Sequence, residues 1–274
     1  MTVPLTCTRS QRARTLRGVS TNAALAAAAT LIAFAFAAST FERWLDRRRA
    51  HDLAWSVSLL FFCVASAALW LGVAKGWDGA SFRVFFLFGA IVNVPWLAIG
   101  SIYLLAGPRQ GRRWAVVTAA LSCFAAGVMA VAPTRHPVPS DGLPKGSAVF
   151  GVLPRVLAAV ASGAGALVVV IGAVWSAVLL VRGRSGPNPT RLAVGNVLIA
   201  LGTLVLGASG TLAGRIGEVR AFGLTLVIGI TLLFSGFLVA TSASVKRGSL
   251  TVFYAHRPAE RDRPDQPELD PLGS

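Results

Sequence analysis

The sequence predicts an all-α protein, a polytopic bundle of seven transmembrane helices. Hydrophobic residues make up 54% of the 274-residue chain and charged residues only 14%, with a mean hydropathy of +0.66. A soluble domain carries about 25% charged residues, so a single soluble globular domain is excluded. The apolar residues fall in long continuous blocks. At 1.5 Å rise per residue, such blocks cross a hydrocarbon core of about 30 Å. Backbone polar groups in lipid must pair within their own segment, so the blocks are helices. A β-barrel would need alternating segments of about ten residues, and these blocks do not alternate.

The first block, 21–40, is rich in alanine and follows a basic segment, 1–20, containing Arg9, Arg12, Arg14 and Arg17. That order also resembles a signal peptide, with Ala35-Phe36-Ala37 as a small-residue cleavage site. The second block, 53–74, follows the loop Glu42-Arg43-Trp44-Leu45-Asp46-Arg47-Arg48-Arg49. The third, 84–107, carries Asn93-Val94-Pro95-Trp96 and is expected to kink at Pro95, which lacks a backbone donor. The fourth, 114–132, opens on Trp114 after three arginines. The fifth, 156–181, is the longest, and 192–214 and 221–245 complete the set. Together, 21–245 form one transmembrane domain. The fourth loop, 133–155, holds five prolines and reads as irregular, turn-rich chain. The tail, 246–274, is charged and Pro-rich and is expected to be disordered.

Charge distribution sets the expected orientation. The net charge is +15, carried by short clusters between apolar blocks. That is the pattern of membrane loops rather than of a nucleic-acid-binding face, so no nucleic-acid partner is expected. Loops one, three and five with the tail hold 15 Lys and Arg; the N-terminus with loops two, four and six holds 11. Without the N-terminus the ratio is 15 to 7. The expectation is a multi-pass cell-membrane protein with its N-terminus outside and its C-terminus cytoplasmic. A cleaved signal would place Arg47-Arg48-Arg49 outside, against the rule.

No ionisable side chain stands near the middle of any block. Proton relays, ion-coupled sites and retinal or haem centres need such groups at membrane depth. The three cysteines, Cys7, Cys63 and Cys123, have no CxxC spacing and read as apolar packing residues. No metal site, cofactor or catalytic residue is expected. An enzyme would have to rest on the loop residues Asp78, His136 and Asp141, whose spacing fits no mechanism.

The deepest polar side chains are amides. Gly89, Asn93, Trp96 and Gly100 stand at i, i+4, i+7 and i+11 and share a helix face. With the inner Trp70, Asn93 and Trp96 are the candidate residues of a small-molecule or lipid pocket. The competing role for Asn93 is an interhelical hydrogen bond, and Asn196 is read the same way. Trp175 is also an inner tryptophan, while Trp44, Trp55, Trp77 and Trp114 fall near block ends and read as interfacial anchors. Ala158, Gly165 and Gly172 share a face on block five, and Gly195, Gly202 and Ser209 on block six, where Gly210 and Gly214 add GxxxG. These faces are expected to be tight helix contacts, with homodimerisation as the alternative. Arg47, Arg48 and Arg49 are candidate docking residues for anionic lipid headgroups or an acidic partner. The tail is a second place for a protein partner. Asp78 and Arg83 are expected to pair and cap helix three.

The stretches RRRAHDLAWSVSLLFF, GWDGASFRVFFLFGAIVNVPWLAIGSIYLL, GNVLIALGTLV and FSGFLVA resemble a group of multi-pass membrane proteins common in actinobacteria. The resemblance covers most of helices two to seven. It implies a helical membrane protein and supplies no catalytic or binding residue to carry over. A looser likeness is to seven-helix sensor regions that precede histidine kinases, and no kinase domain follows here. The expected role is a non-enzymatic sensor, scaffold or accessory subunit in the lipid bilayer. The alternative is a transporter or carrier of a neutral or lipid-like small molecule.

Overall fold

The computed structural model describes the backbone of residues 6–134, 138, 143–182, 189–216 and 219–254. Side chains are described for 21–134, 138, 143–176, 178–179, 182, 190–191, 193–208 and 222–239. The elements are α1 (Thr6–Arg47), α2 (Ala50–Lys75), α3 (Gly79–Phe85), a π-helical segment (Phe86–Val92) and α4 (Asn93–Leu105). Then come α5 (Gly107–Val131), the single turn α6 (Gly146–Val149), α7 (Val152–Val181), α8 (Pro189–Ile216) and α9 (Val219–Tyr254). Among the described residues there is no strand, only a bridge between Thr134 and Phe150 that ties down the fourth loop.

The chain is an all-α helical membrane bundle. Among the described residues, six helical spans are long and apolar enough to cross a bilayer: Thr21–Arg47, Ala50–Lys75, Gly79–Leu105, Gly107–Val131, Val152–Ser176 and Phe222–Val239. Within α8, whose backbone runs Pro189–Ile216, the described apolar stretch is Ala193–Ala208. Two boundaries differ from the sequence reading. Segment 6–20 is helical and continuous with the first span. α9 continues to Tyr254, past the expected break at 245, because no proline interrupts the chain until Pro258. The rest of the tail, 255–274, lies outside the described residues.

Six helices close a ring. α1 packs on α2, α2 on α4, α4 on α7, α7 on α8, α8 on α9, and α9 returns to α1. α5 stands outside the ring, against α4 and the π-helical segment. Ala26, Ala29, Ala33 and Ala37 form a buried small-residue stripe on α1. The Ala35-Phe36-Ala37 sequence lies within the bundle: Phe36 and Ala37 are buried, and Ser56 Oγ donates to the Ala37 carbonyl at 3.1 Å.

Glycines set the tightest crossings. A Cβ on Gly202 would lie 2.7 Å from the Leu233 backbone nitrogen, and one on Gly236 2.7 Å from the Gly195 carbonyl oxygen. α8 and α9 therefore meet backbone to backbone. A Cβ on Gly165 would lie 2.9 Å from the Val94 and Pro95 backbone, so α7 crosses α4 at the proline. These faces are occupied within the chain. The side chains of Ser209, Gly210 and Gly214 lie outside the described residues.

The third span is irregular, but not where the sequence places the irregularity. The α geometry is lost over Phe86–Val92 and resumes at Asn93. Pro95 sits in the first turn of α4, where proline is tolerated. A proline clashes with the carbonyl four residues back, and a wider turn upstream relieves that clash. Ser162 of α7 then donates to the Ala90 carbonyl at 2.5 Å. A neighbouring hydroxyl thus serves a carbonyl to which Pro95 cannot donate.

Candidate functional site

Within the ring lies a cavity of about 580 Å³, at the end bearing loops two and four. Phe82, Phe85 and Phe86 line one wall, and Ala158 and Ser162 of α7 another. Thr203 of α8 and Leu226 of α9 close it round. Segment 143–147 and Arg155 line its loop end, and the exposure of Lys145, Ser147 and Arg155 marks that end as its mouth. Phe150 anchors this end: it is fully buried and stacks on Phe82 at 5.3 Å and 4° between planes. The opposite end of the ring is filled. There Trp55 meets Phe237 edge to face at 4.7 Å, packed with Leu97, Val169, Ile199 and Leu233.

The lining is apolar with a few hydroxyls. Ser162 Oγ donates to the Ala90 carbonyl, and Thr203 Oγ1 to the Ile199 carbonyl at 2.8 Å. Their protons are engaged, so they offer a ligand only acceptor lone pairs. Among the described residues no acidic one lines the cavity. Its two cationic side chains, Lys145 and Arg155, are exposed at the mouth. A second, smaller hollow of about 240 Å³ lies between α4, α5 and α7 and is lined almost wholly by apolar atoms.

The three candidate pocket residues do not come together. Asn93 Oδ1 accepts from Ser58 Oγ of α2 at 2.8 Å, a bond between helices. Trp96 Nε1 donates to Ser122 Oγ of α5 at 3.1 Å. Trp70 faces outward, 41% exposed. None of them lines the large cavity. The shared face is real for three of the four residues. Gly89 abuts Ala65, Asn93 meets Ser58, and Gly100 leaves the room that the Trp55 indole fills, all on α2. Trp96 leaves that face because three residues of α-helix turn it about 60° away from Asn93, toward α5.

The other tryptophans also differ from expectation. Trp55 and Trp77 are buried core residues rather than interfacial anchors. Trp55 Nε1 donates to the Leu97 carbonyl at 3.2 Å, and a Cβ on Gly72 would overlap the Trp77 ring. Trp175 is 54% exposed, neither cavity nor core. Asn196 bonds between helices as expected, its Nδ2 donating to Ser176 Oγ at 2.7 Å. Cys63 is half-buried, with its thiol 3.6 Å from the Thr30 carbonyl, and Cys123 is exposed.

Arg47, Arg48 and Arg49 form the reversal between α1 and α2, and all three are exposed. Arg48 takes φ 51°, the left-handed conformation usually given to glycine at a helix C-terminus. Its guanidinium lies 4.9 Å from the Trp44 ring centroid. Beside this exposed turn is a buried one that sequence reading missed. Asp52 is only 3% exposed, with His51 Nε2 3.8 Å from its carboxylate. Arg43 lies over the Phe237 ring at 4.2 Å. Nothing in the sequence separates these three from the solvated charges next to them.

At the other end, Asp78 and Arg83 take separate partners. Asp78 caps α3 reciprocally with Ser81: the Ser81 N–H donates to Asp78 Oδ1 at 2.8 Å, and the Asp78 N–H to Ser81 Oγ at 3.2 Å. The Ser81 bonds hold the Asp78 carboxyl below its ordinary pKa. Arg83 instead reaches the end of α5. It donates to the carbonyls of Met129 and Ala132, the latter at 2.7 Å. Among the described residues no three His, Cys, Asp or Glu side chains gather as a metal-holding group. His136 and Asp141 lie outside the described residues. No protein-family model and no curated protein matches the chain.

Proposed function

We propose that this protein binds a lipid-like molecule in its ring cavity and acts without catalysis, as a membrane receptor or carrier. The supporting observation is the cavity itself. Its volume falls within the range of about 300–1,000 Å³ common to ligand sites. Its interior offers aromatic and aliphatic surface with few hydroxyls, two of them engaged by helix carbonyls. Each methylene moved there from water contributes about 0.8 kcal/mol. A strongly polar solute would lose its hydration and find few donors. On the charge-based orientation, the mouth faces outside and the filled end faces the cytoplasm.

The test is native mass spectrometry on protein extracted gently from its own membrane. The wild type should carry a stoichiometric lipid-like adduct. Ala158→Phe, which fills the cavity, should lose it while the protein stays monodisperse. An adduct-free wild type, or an adduct that Ala158→Phe retains, counts against the cavity.

A second reading rests on the exposed turn Arg47-Arg48-Arg49. Three arginines at a two-residue reversal suit an anionic membrane surface or an acidic partner. Replacing all three with glutamine should abolish that association. Partners that persist would rule this docking out.

A further inference from the structure

Resting on the cavity reading, we infer that the ligand is an amphiphile with an anionic headgroup, held at the mouth by Lys145 and Arg155 with its chain inside. Three observations converge. Lys145 precedes α6 and Arg155 lies in the first turn of α7, so two separate elements bring two cations to one opening. Neither pairs with a described carboxylate, and among the described residues no acidic one lines the cavity. The interior holds no charged side chain among the described residues, and the protons of two of its hydroxyls, Ser162 and Thr203, are engaged by helix carbonyls, so an anion is better placed at the mouth.

The three possible headgroup charges are therefore unequal. A cationic headgroup meets two like charges at the mouth. A neutral one gains nothing from them. An anionic one can sit at the wet mouth, paired with both cations, while its chain fills the apolar interior. A carboxylate and a phosphate both meet this requirement.

The experiment uses the full chain in nanodiscs of phosphatidylcholine, with palmitic acid and hexadecanol as probes of equal chain length. Competition against a fluorescent palmitate analogue reads both affinities. Wild type should bind the acid about three- to tenfold more tightly than the alcohol, the scale of two exposed charge pairs. That preference should shrink as salt is raised. Lys145→Gln with Arg155→Gln should remove the preference and leave alcohol binding unchanged. Lys145→Arg should keep it. Both side chains are exposed, so the variants should fold, and size-exclusion profiles check this. Adding phosphatidylglycerol to the nanodisc separates the sources: displacement assigns a bilayer lipid, and no displacement assigns the free acid. Equal binding of acid and alcohol, unchanged in the double variant, overturns the headgroup inference and leaves the cavity standing. Binding of neither probe overturns both.

Discussion

The Ser162 hydroxyl donates to the Ala90 carbonyl at 2.5 Å, five residues before the proline that cannot. One turn further along α7, Gly165 lies against the Val94 and Pro95 backbone. α7 thus supplies both the hydrogen bond and the clearance that the irregular third span requires. Ser162→Ala should destabilise the protein by about 1 kcal/mol, the scale of hydrogen bonds between membrane helices. Ser162→Thr keeps the hydroxyl and should lose less. Unfolding in mild detergent reads the difference, and an alanine variant as stable as wild type would show that the hydroxyl is dispensable.

Arg83 holds the peripheral helix. α5 lies outside the ring, and its last carbonyls would lack partners. Arg83 reaches them from the start of the third span. A charge-assisted bond of this kind contributes about 1.5–3 kcal/mol. Arg83→Ala should therefore raise hydrogen exchange at the last turn of α5 more than at α8 or α9. A uniform rise through the bundle would assign Arg83 a general role instead.

Glycine substitutions should split by location. Gly202 faces the backbone of Leu233, which cannot move aside as a flexible side chain would. Gly202→Ala should cost about 1–3 kcal/mol through overpacking. Gly163, on the same ring in α7, has nothing within 4 Å of where a Cβ would sit. Gly163→Ala should stabilise by up to about 1 kcal/mol, because alanine suits a helix interior better. Melting temperatures of the two variants should move in opposite directions. A Gly202→Ala variant as stable as wild type would refute the close α8–α9 approach.

The outline of this bundle was legible because block length and hydropathy act locally. Lipid leaves helix as the only open choice for each block. The cavity interior was not legible, because it depends on which faces meet. Asn93 and Trp96 look alike in sequence, deep and polar, yet one bonds to α2 and the other to α5. The cavity is built mostly from phenylalanines and small residues that carry no chemical signal. Lys145 and Arg155 counted only as loop charge until the fold of segment 143–155 set them at one opening. Nothing in the sequence marks Asp52 for burial, since it follows a run of arginines, yet it is only 3% exposed.

Arg48 offers a test of the turn behind the docking reading. A left-handed conformation costs a residue with a Cβ about 1–2 kcal/mol relative to glycine. Arg48 offsets this through its contact with Trp44 and its charge at the end of α1. Arg48→Ala removes both offsets and keeps the strain, so it should be destabilising. Arg48→Gly also removes them but relieves the strain, so it should be the more stable variant by about 1 kcal/mol. Equal stability would mean that the turn relaxes once the arginine is gone.

Asp78 gives the pH dependence its sign. Its carboxylate accepts from Ser81, which lowers its pKa in the folded protein below the ordinary 3.8. A depressed folded pKa adds stability above the unfolded value and loses it as pH falls through the folded value. The cap should therefore contribute fully at neutral pH and weaken only below about 3.8. Asp78→Asn keeps a good capping side chain and removes the titration. Other carboxylates also titrate at acid pH, so the informative quantity is the stability difference between wild type and Asp78→Asn. That difference should be flat from neutral pH to about pH 5 and then shift against wild type as the carboxylate protonates. A difference that stays flat to pH 2 would mean that the Ser81 bonds do not distinguish the charged from the neutral carboxyl.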